Sequence, residues 1–213
     1  MENYDLDIPI DAVITWVDGS DEKHKEKIRK YSQKTNQQQE DISFRYAQTN
    51  EIQFCVHSIL KHANFVRNIF IVTDNQVPKF LINAISEKYK KVKIVDHLEI
   101  YGDKNSLLPV FNSRSIETKI HNIPGLSEHF IYFNDDMIIL RPVSKSDFFM
   151  DNLPVLRGKW KLFKENIFYK KLRIKRKGNQ AGHVYAQEKS AKTLGFQKLF
   201  KFHHTPQPMR IST

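Results

Sequence analysis

The segment Phe130-Ile131-Tyr132-Phe133-Asn134-Asp135-Asp136-Met137-Ile138-Ile139-Leu140 joins two apolar runs through Asn-Asp-Asp. A strand buried on both faces has little use for two adjacent carboxylates, so the pair marks the place where a strand leaves the core. At such an exit, two carboxylates can hold a divalent cation against a diphosphate. A solvated turn is the plainer alternative, and the apolar flanks on both sides argue against it.

The rest of the chain has the punctuation of an α/β protein. Residues 10–17, 68–73, 92–95 and 131–133 are short β-branched or aromatic runs that read as buried strands. Between them, 22–32, 50–62, 77–90 and 113–121 read as helices, with Ile52, Val56, Ile59 and Leu60 on one face of the second. Asp18-Gly19-Ser20-Asp21 is a turn that also offers capping side chains. Alternating strands and helices predict a mostly parallel sheet with ligands at the carboxyl ends of its strands. Thr73 and Asp74 close one such strand and are candidate ligand contacts, with Gln76 a weaker one. Residues 187–202 read as a late helix. The expected organisation is a single domain: an α/β core over 1–145, then a basic insertion and C-terminal segment over 146–213.

Composition excludes several classes. The chain has 213 residues, 40% apolar, which is enough to bury a sizeable core. Its single cysteine, Cys55, rules out an internal disulfide and a cysteine-based metal site. His121/His129 and His203/His204 lack zinc-site spacing with further ligands. Neither common glycine-rich phosphate loop is present, nor a serine-hydrolase elbow. No apolar run is long enough for a membrane span, and Met1 to Asp7 is polar and acidic, so the expected setting is cytoplasmic. The net charge of +10 points to an anionic partner. Much of it lies in Arg157, Lys159, Lys161, Lys164, Lys170, Lys171, Arg173, Lys175, Arg176 and Lys177. They read either as a solvated basic surface or as peripheral contact with anionic lipid at the inner face of the cell membrane. Phe163, Phe168 and Tyr169 are interleaved there, but no nucleic-acid module accompanies them, so no nucleic-acid partner is expected.

Four stretches occur in a telling order: PIDAVITWVDGSD (9–21), RYAQTNEIQFCVHSILKHANFVRNIFIVTDNQVPKFL (45–81), LPVFNSRSIETKIHNIPGLSEHFIYFNDDMIIL (108–140) and HHTPQPMR (203–210). Together they resemble the Stealth family of sugar-phosphate transferases, which includes bacterial capsular polysaccharide phosphotransferases and the catalytic subunits of N-acetylglucosamine-1-phosphotransferase. The resemblance implies a glycosyltransferase-A-like nucleotide-sugar fold. It implies transfer of a hexose-1-phosphate from a UDP-sugar donor to a saccharide acceptor, with Mg²⁺ or Mn²⁺. Of the four blocks that usually define the family, three are matched. The fourth, which carries an arginine thought to contact phosphate, does not occur before Thr213. That leaves a fragment, a piece supplied by another polypeptide, or weak activity as the expectations.

The resemblance also assigns roles. It makes Asp136 a catalytic residue as well as a metal ligand with Asp135, places Glu117 in the site, and matches His204 to a histidine that serves as general base or metal ligand. By analogy with nucleotide-sugar folds, Thr15 and Trp16 lie near the base of the donor, and Asp11 opens the strand that carries them. Arg45 is a candidate phosphate contact, or else an ion-pair partner of Glu40 or Asp41. Asn50 caps or lines, and Asn112 and Ser113 lead a helix whose N–H groups could meet a phosphate. Two other readings stay open: a conventional glycosyltransferase that releases UDP, and a non-catalytic module that holds a UDP-sugar or a partner.

Overall fold

A computed structural model describes residues 8–31, 50–82, 87–166 and 183–212. The chain forms two compact units, Met1–Val155 with Pro206–Thr213, and Leu156–Thr205.

The first unit is built on a five-stranded sheet. In chain order its strands are β1 (Ile10–Thr15), β2 (Val66–Thr73), β3 (Val92–Asp96), β4 (His129–Asn134) and a closing strand at Gln207–Arg210. The spatial order is β3-β2-β1-β4 with the closing strand outermost; all pairs are parallel except that last one, which runs against β4. The α/β class with a mostly parallel sheet is therefore as the sequence pattern requires, and it is consistent with a glycosyltransferase-A-like fold.

Alternation along the strands supplies two cores. Ala12, Ile14, Ile69, Ile71, Ile131 and Phe133 pack against Ile52, Cys55, Val56 and Ile59 of helix α2 (Glu51–His62). Helix α1 (Glu22–Tyr31) precedes it. On the opposite face, Val13, Phe70, Val72, Phe130 and Tyr132 meet Ile100 and Tyr101 of α4 (His97–Tyr101) and Ile116 of α5 (Ser113–Glu117), α3 being the short Lys79–Ile82. A sheet covered on both faces explains why its strands are almost continuously apolar.

Asp11 is the exception inside that sheet. It is fully buried and accepts from Arg67 Nε (3.0 Å) and Nη2 (2.6 Å), the Asn68 backbone N–H (3.0 Å) and side chain (3.3 Å), and the Ser127 N–H (2.8 Å). The β1–β2 register slips by one residue opposite Asp11, so Arg67 and Asn68 form a bulge whose donors turn to this carboxylate. The assignment of Asp11 to substrate is thereby corrected. It sits at the amino end of β1, and its acceptor capacity is consumed by the fold.

Two helix expectations also change. The stretch 77–90 shows only α3 and a 3₁₀ turn at Glu87–Tyr89, with 83–86 outside the described residues. In the second unit, the expected 187–202 helix is instead α6 (His183–Thr193) followed by a strand (Leu199–Phe202). Gly195, at φ 80°, ends the helix: its N–H reaches Lys192 O (2.9 Å) and the Phe196 N–H reaches Ala191 O (3.0 Å). That is a Schellman ending, which glycine adopts without steric cost. After it, alternating Leu-Phe-Lys-Phe continues as strand.

Asp11→Ala should lower unfolding free energy by about 2–3 kcal/mol in urea titration, because it orphans a half-exposed guanidinium and two buried N–H groups. Burial alone would raise the Asp11 pKa; the Arg67 and Ser127 hydrogen bonds and the Arg67 charge outweigh it and hold it below the ordinary value. The carboxylate thus adds stability above the unfolded pKa, about 4, and loses it as pH falls through the lower folded value. The gap between native and Asp11→Ala proteins should narrow in acid.

Candidate active site

Strand order reverses at β1: the chain builds outward through β2 and β3, then returns to β4 on the other side. Such a switch point opens a crevice outside the carboxyl ends of the two central strands. A cleft of about 630 Å³ lies there. Thr15, Trp16 and Val17 line it from the exit of β1, and Asn134, Asp135 and Asp136 from the exit of β4. Val110 to Arg114 and Ile116 form the wall at α5, with His24 of α1 and His97 of α4 beside them.

The Asn134–Asp136 turn is pinned from several sides. Met137 N–H reaches Asn134 O (3.1 Å), and the Cys55 thiol donates to the same carbonyl (3.7 Å). Beyond it, residues 137–140 are not a second buried strand. Met137 and Ile139 are buried, Ile138 and Leu140 are exposed, and the Ile139 N–H is held by Ser58 Oγ (3.0 Å). Asp135 is half-buried and Asp136 exposed, so both carboxylates reach solvent at the cleft edge without burial cost.

Tyr132 links the walls. Its buried hydroxyl lies 2.9 Å from Thr15 Oγ1, 3.1 Å from Asn134 Oδ1 and 3.3 Å from Glu117 Oε1. One phenolic proton serves one acceptor at a time, so Thr15 can donate to the phenol while the phenol donates to Asn134 or Glu117. Burial first, and then the nearby carboxylates, push the Tyr132 pKa up despite the Thr15 bond. It stays a neutral donor. Sequence reasoning missed Tyr132; the signal was a hydroxyl-bearing residue two positions before Asn134 in an otherwise apolar strand.

A second group supports the far wall. Asp74 takes Lys27 Nζ on both oxygens (2.8 and 2.9 Å) and lies 3.3 Å from His24 Nδ1. The His24 bond chiefly, with Lys27, holds the Asp74 pKa at about 2 against its burial. Burial keeps the His97 imidazole below the usual histidine value, although Asp74 and Asp96 pull the other way. His24 and His97 were also missed. The first is the buried residue of a highly charged helix, which no periodicity announces.

The other expected residues are placed as follows. Thr15, Trp16, Asn112, Asp135 and Asp136 line the cleft, and Glu117 reaches its Thr15–Asn134 edge through Tyr132. Asn112 also caps α5, accepting from Arg114 N–H (3.1 Å). Thr73 is fully buried and Asp74 is committed to Lys27 and His24, so neither lines the cleft, contrary to expectation. Asn50, exposed at the N-cap of α2 in a left-handed conformation (φ 66°), is not at the cleft either. Gln76 clamps the loop after β1, accepting from Asp18 N–H (2.7 Å) and donating to Asp18 O and Asp21. Arg45 lies outside the described residues. His204 belongs to the second unit, exposed in the bend after its Leu199–Phe202 strand.

Known sequences decide the family. The Stealth protein conserved region 1 matches residues 9–35 and conserved region 2 matches 45–155, about half of the chain. The chain belongs to the Stealth family. Among curated relatives, the capsular polysaccharide phosphotransferase fcs1 of Haemophilus influenzae is 48% identical over 147 residues, covering 68% of this chain and 39% of its own length. The capsular polysaccharide phosphotransferase LcbA of Neisseria meningitidis is 43% identical over 145 residues (67% and 38%). The exopolysaccharide phosphotransferase cps2G of Lactiplantibacillus plantarum is 44% identical over 146 residues (68% and 41%). This Stealth chain therefore spans about two-fifths of the length of the relatives it matches. Among its described residues no helix is long and apolar enough to cross a membrane.

Cys55 lies directly behind the Asp135–Asp136 turn. Burial first, then those two carboxylates, drive its thiol pKa far up. It should not react with Ellman's reagent in the native protein and should react fully once unfolded. Rapid native labelling would mean that the turn opens.

Proposed function

We propose that this Stealth protein transfers a hexose-1-phosphate from a UDP-sugar to a saccharide hydroxyl, releasing UMP, in the synthesis of a capsular or other cell-surface polysaccharide. The observation that carries the reading is the Asp135–Asp136 pair at the rim of the switch-point cleft, facing Thr15 and Trp16. The relatives' phosphotransferase names support the same chemistry.

In this reaction the acceptor oxygen forms a bond to the β-phosphorus and the bond from that phosphorus to the bridging oxygen breaks, so the electron pair leaves with UMP. The hydroxyl proton passes to a base. Little covalent chemistry falls to the protein; positioning and charge neutralisation dominate.

Among the described residues, no cluster of three or more His, Cys, Asp or Glu groups forms a ready metal cage. Two rim carboxylates nonetheless suit Mg²⁺ or Mn²⁺, since Mg²⁺ is commonly held by one or two carboxylates together with substrate phosphates. Asp135 and Asp136 would hold it. When bound, it would neutralise charge on the diphosphate. Trp16 and Thr15 would orient the nucleoside end. The Tyr132 hydroxyl would orient Glu117, the candidate proton acceptor. Base catalysis of this kind is typically worth about 10²–10⁴-fold.

The test is nucleotide release from UDP-N-acetylglucosamine and other UDP-hexoses, with Mg²⁺ or Mn²⁺ and a saccharide acceptor. UMP should appear only with acceptor. Asp136→Asn should cut the rate by about 10²-fold or more at unchanged melting temperature, and Glu117→Gln by roughly tenfold or more. UDP in place of UMP would make the protein a conventional glycosyltransferase. Binding of UDP-sugar without turnover would leave a binding module.

A further inference from the structure

Charge is divided unequally between the two units. Residues 156–205 hold 14 of the 34 lysines and arginines but only Glu165 and Glu188 of the 24 acidic residues, so the second unit is strongly cationic and the remainder slightly acidic. A unit with this balance is attracted to an anionic partner.

Its described residues include a β-ribbon, β5 (Gly158–Lys161) paired antiparallel with β6 (Leu199–Phe202), Trp160 opposite Phe200 and Gly158 opposite Phe202. Alternation puts these four on one face and Lys159, Lys161, Lys201 and the buried Leu199 on the other. On the aromatic face, Trp160 meets Phe200 at 5.1 Å and Phe196 at 5.9 Å, and Phe200 meets Phe202 at 5.1 Å. A Cβ at Gly158 would come within 2.6 Å of the Phe200 ring, so glycine is what lets that ring lie across the strand. Even so packed, Trp160, Phe196 and Phe202 keep 56%, 48% and 43% of their surface exposed. A contiguous exposed aromatic ridge marks an interaction surface.

We propose that this ribbon seats the protein on an anionic lipid surface. Separation of the two faces decides between partners. An elongated polyanion, glycan or nucleic acid, is best held by cations and rings interleaved along one groove. Here they are segregated, aromatic on one side and lysine on the other, which is the arrangement of an element lying in the membrane interface. Trp160 has the amphipathic ring that settles at headgroup level, and the lysines of the opposite face add longer-range attraction to an anionic surface. The inference is independent of the transfer reaction, and its test reads no activity.

The 213-residue chain should co-sediment with phosphatidylcholine vesicles containing phosphatidylglycerol and not with phosphatidylcholine alone, and salt should weaken the binding. Lys159→Gln/Lys161→Gln/Lys201→Gln, at exposed positions that leave the fold intact, should weaken binding roughly tenfold or more. Brominated acyl chains should quench Trp160 fluorescence, and Trp160→Phe, which keeps the ring packing, should remove that quench. Equal binding to neutral vesicles, no quench, or an unaffected lysine variant would overturn the assignment. So would retention by soluble polyphosphate without vesicle binding, which would assign the ribbon to a polyanionic chain.

Discussion

The carboxylate of Asp11 holds the architecture in register. Buried between the starts of β1, β2 and β4, it gathers donors from the Arg67–Asn68 bulge and from Ser127 just ahead of β4. A buried charge is tolerable only when compensated, and here both oxygens are. Because the three strands are parallel and registered at one end, they leave the sheet together at the other, where Thr15 pairs with Asn134 across β1 and β4. The cleft follows from this alignment. A residue expected to bind substrate serves the site from the opposite end of its strand.

Around the cleft, the division of labour follows burial. Asp136, exposed, and Asp135, half-buried, can meet a ligand at the cleft edge. Buried groups, Tyr132, Cys55, His24 and His97, supply shape and fixed hydrogen-bond direction. Asp74 illustrates the cost of reading strand ends literally. Its position after β2 was right for a ligand contact, but Lys27 and His24 from α1 satisfy it first. Its contribution is to set the histidine wall.

Much of the fold was legible because β-branched runs and turn residues repeat with α/β spacing. The errors came where a local pattern has two solutions. Residues 187–202 carry apolar positions compatible with a helix, yet Gly195 closes a Schellman turn and Leu199–Phe202 pairs with β5 (Gly158–Lys161). The apolar run after Asp136 is no strand; its Met137 and Ile139 pack into the core beside α2. Of the site, Asp135 and Asp136 were visible as carboxylates ending an apolar strand, while Thr15 and Trp16 were pointed to by the analogy with nucleotide-sugar folds. Tyr132 and His24 were not, since their role depends on neighbours 117 and 50 residues away in sequence.

By itself the sequence determined the core strands, the position of the acidic turn, the family and the cationic character of the later region, because these rest on periodicity, adjacency and composition. Tertiary structure decided which polar residues share a site. Strand order placed β1 beside β4, the bulge at Arg67 and Asn68 claimed Asp11, and the α1 side chains claimed Asp74. Each is a competition among distant hydrogen-bonding groups for burial together, and no local spacing along the chain encodes its outcome.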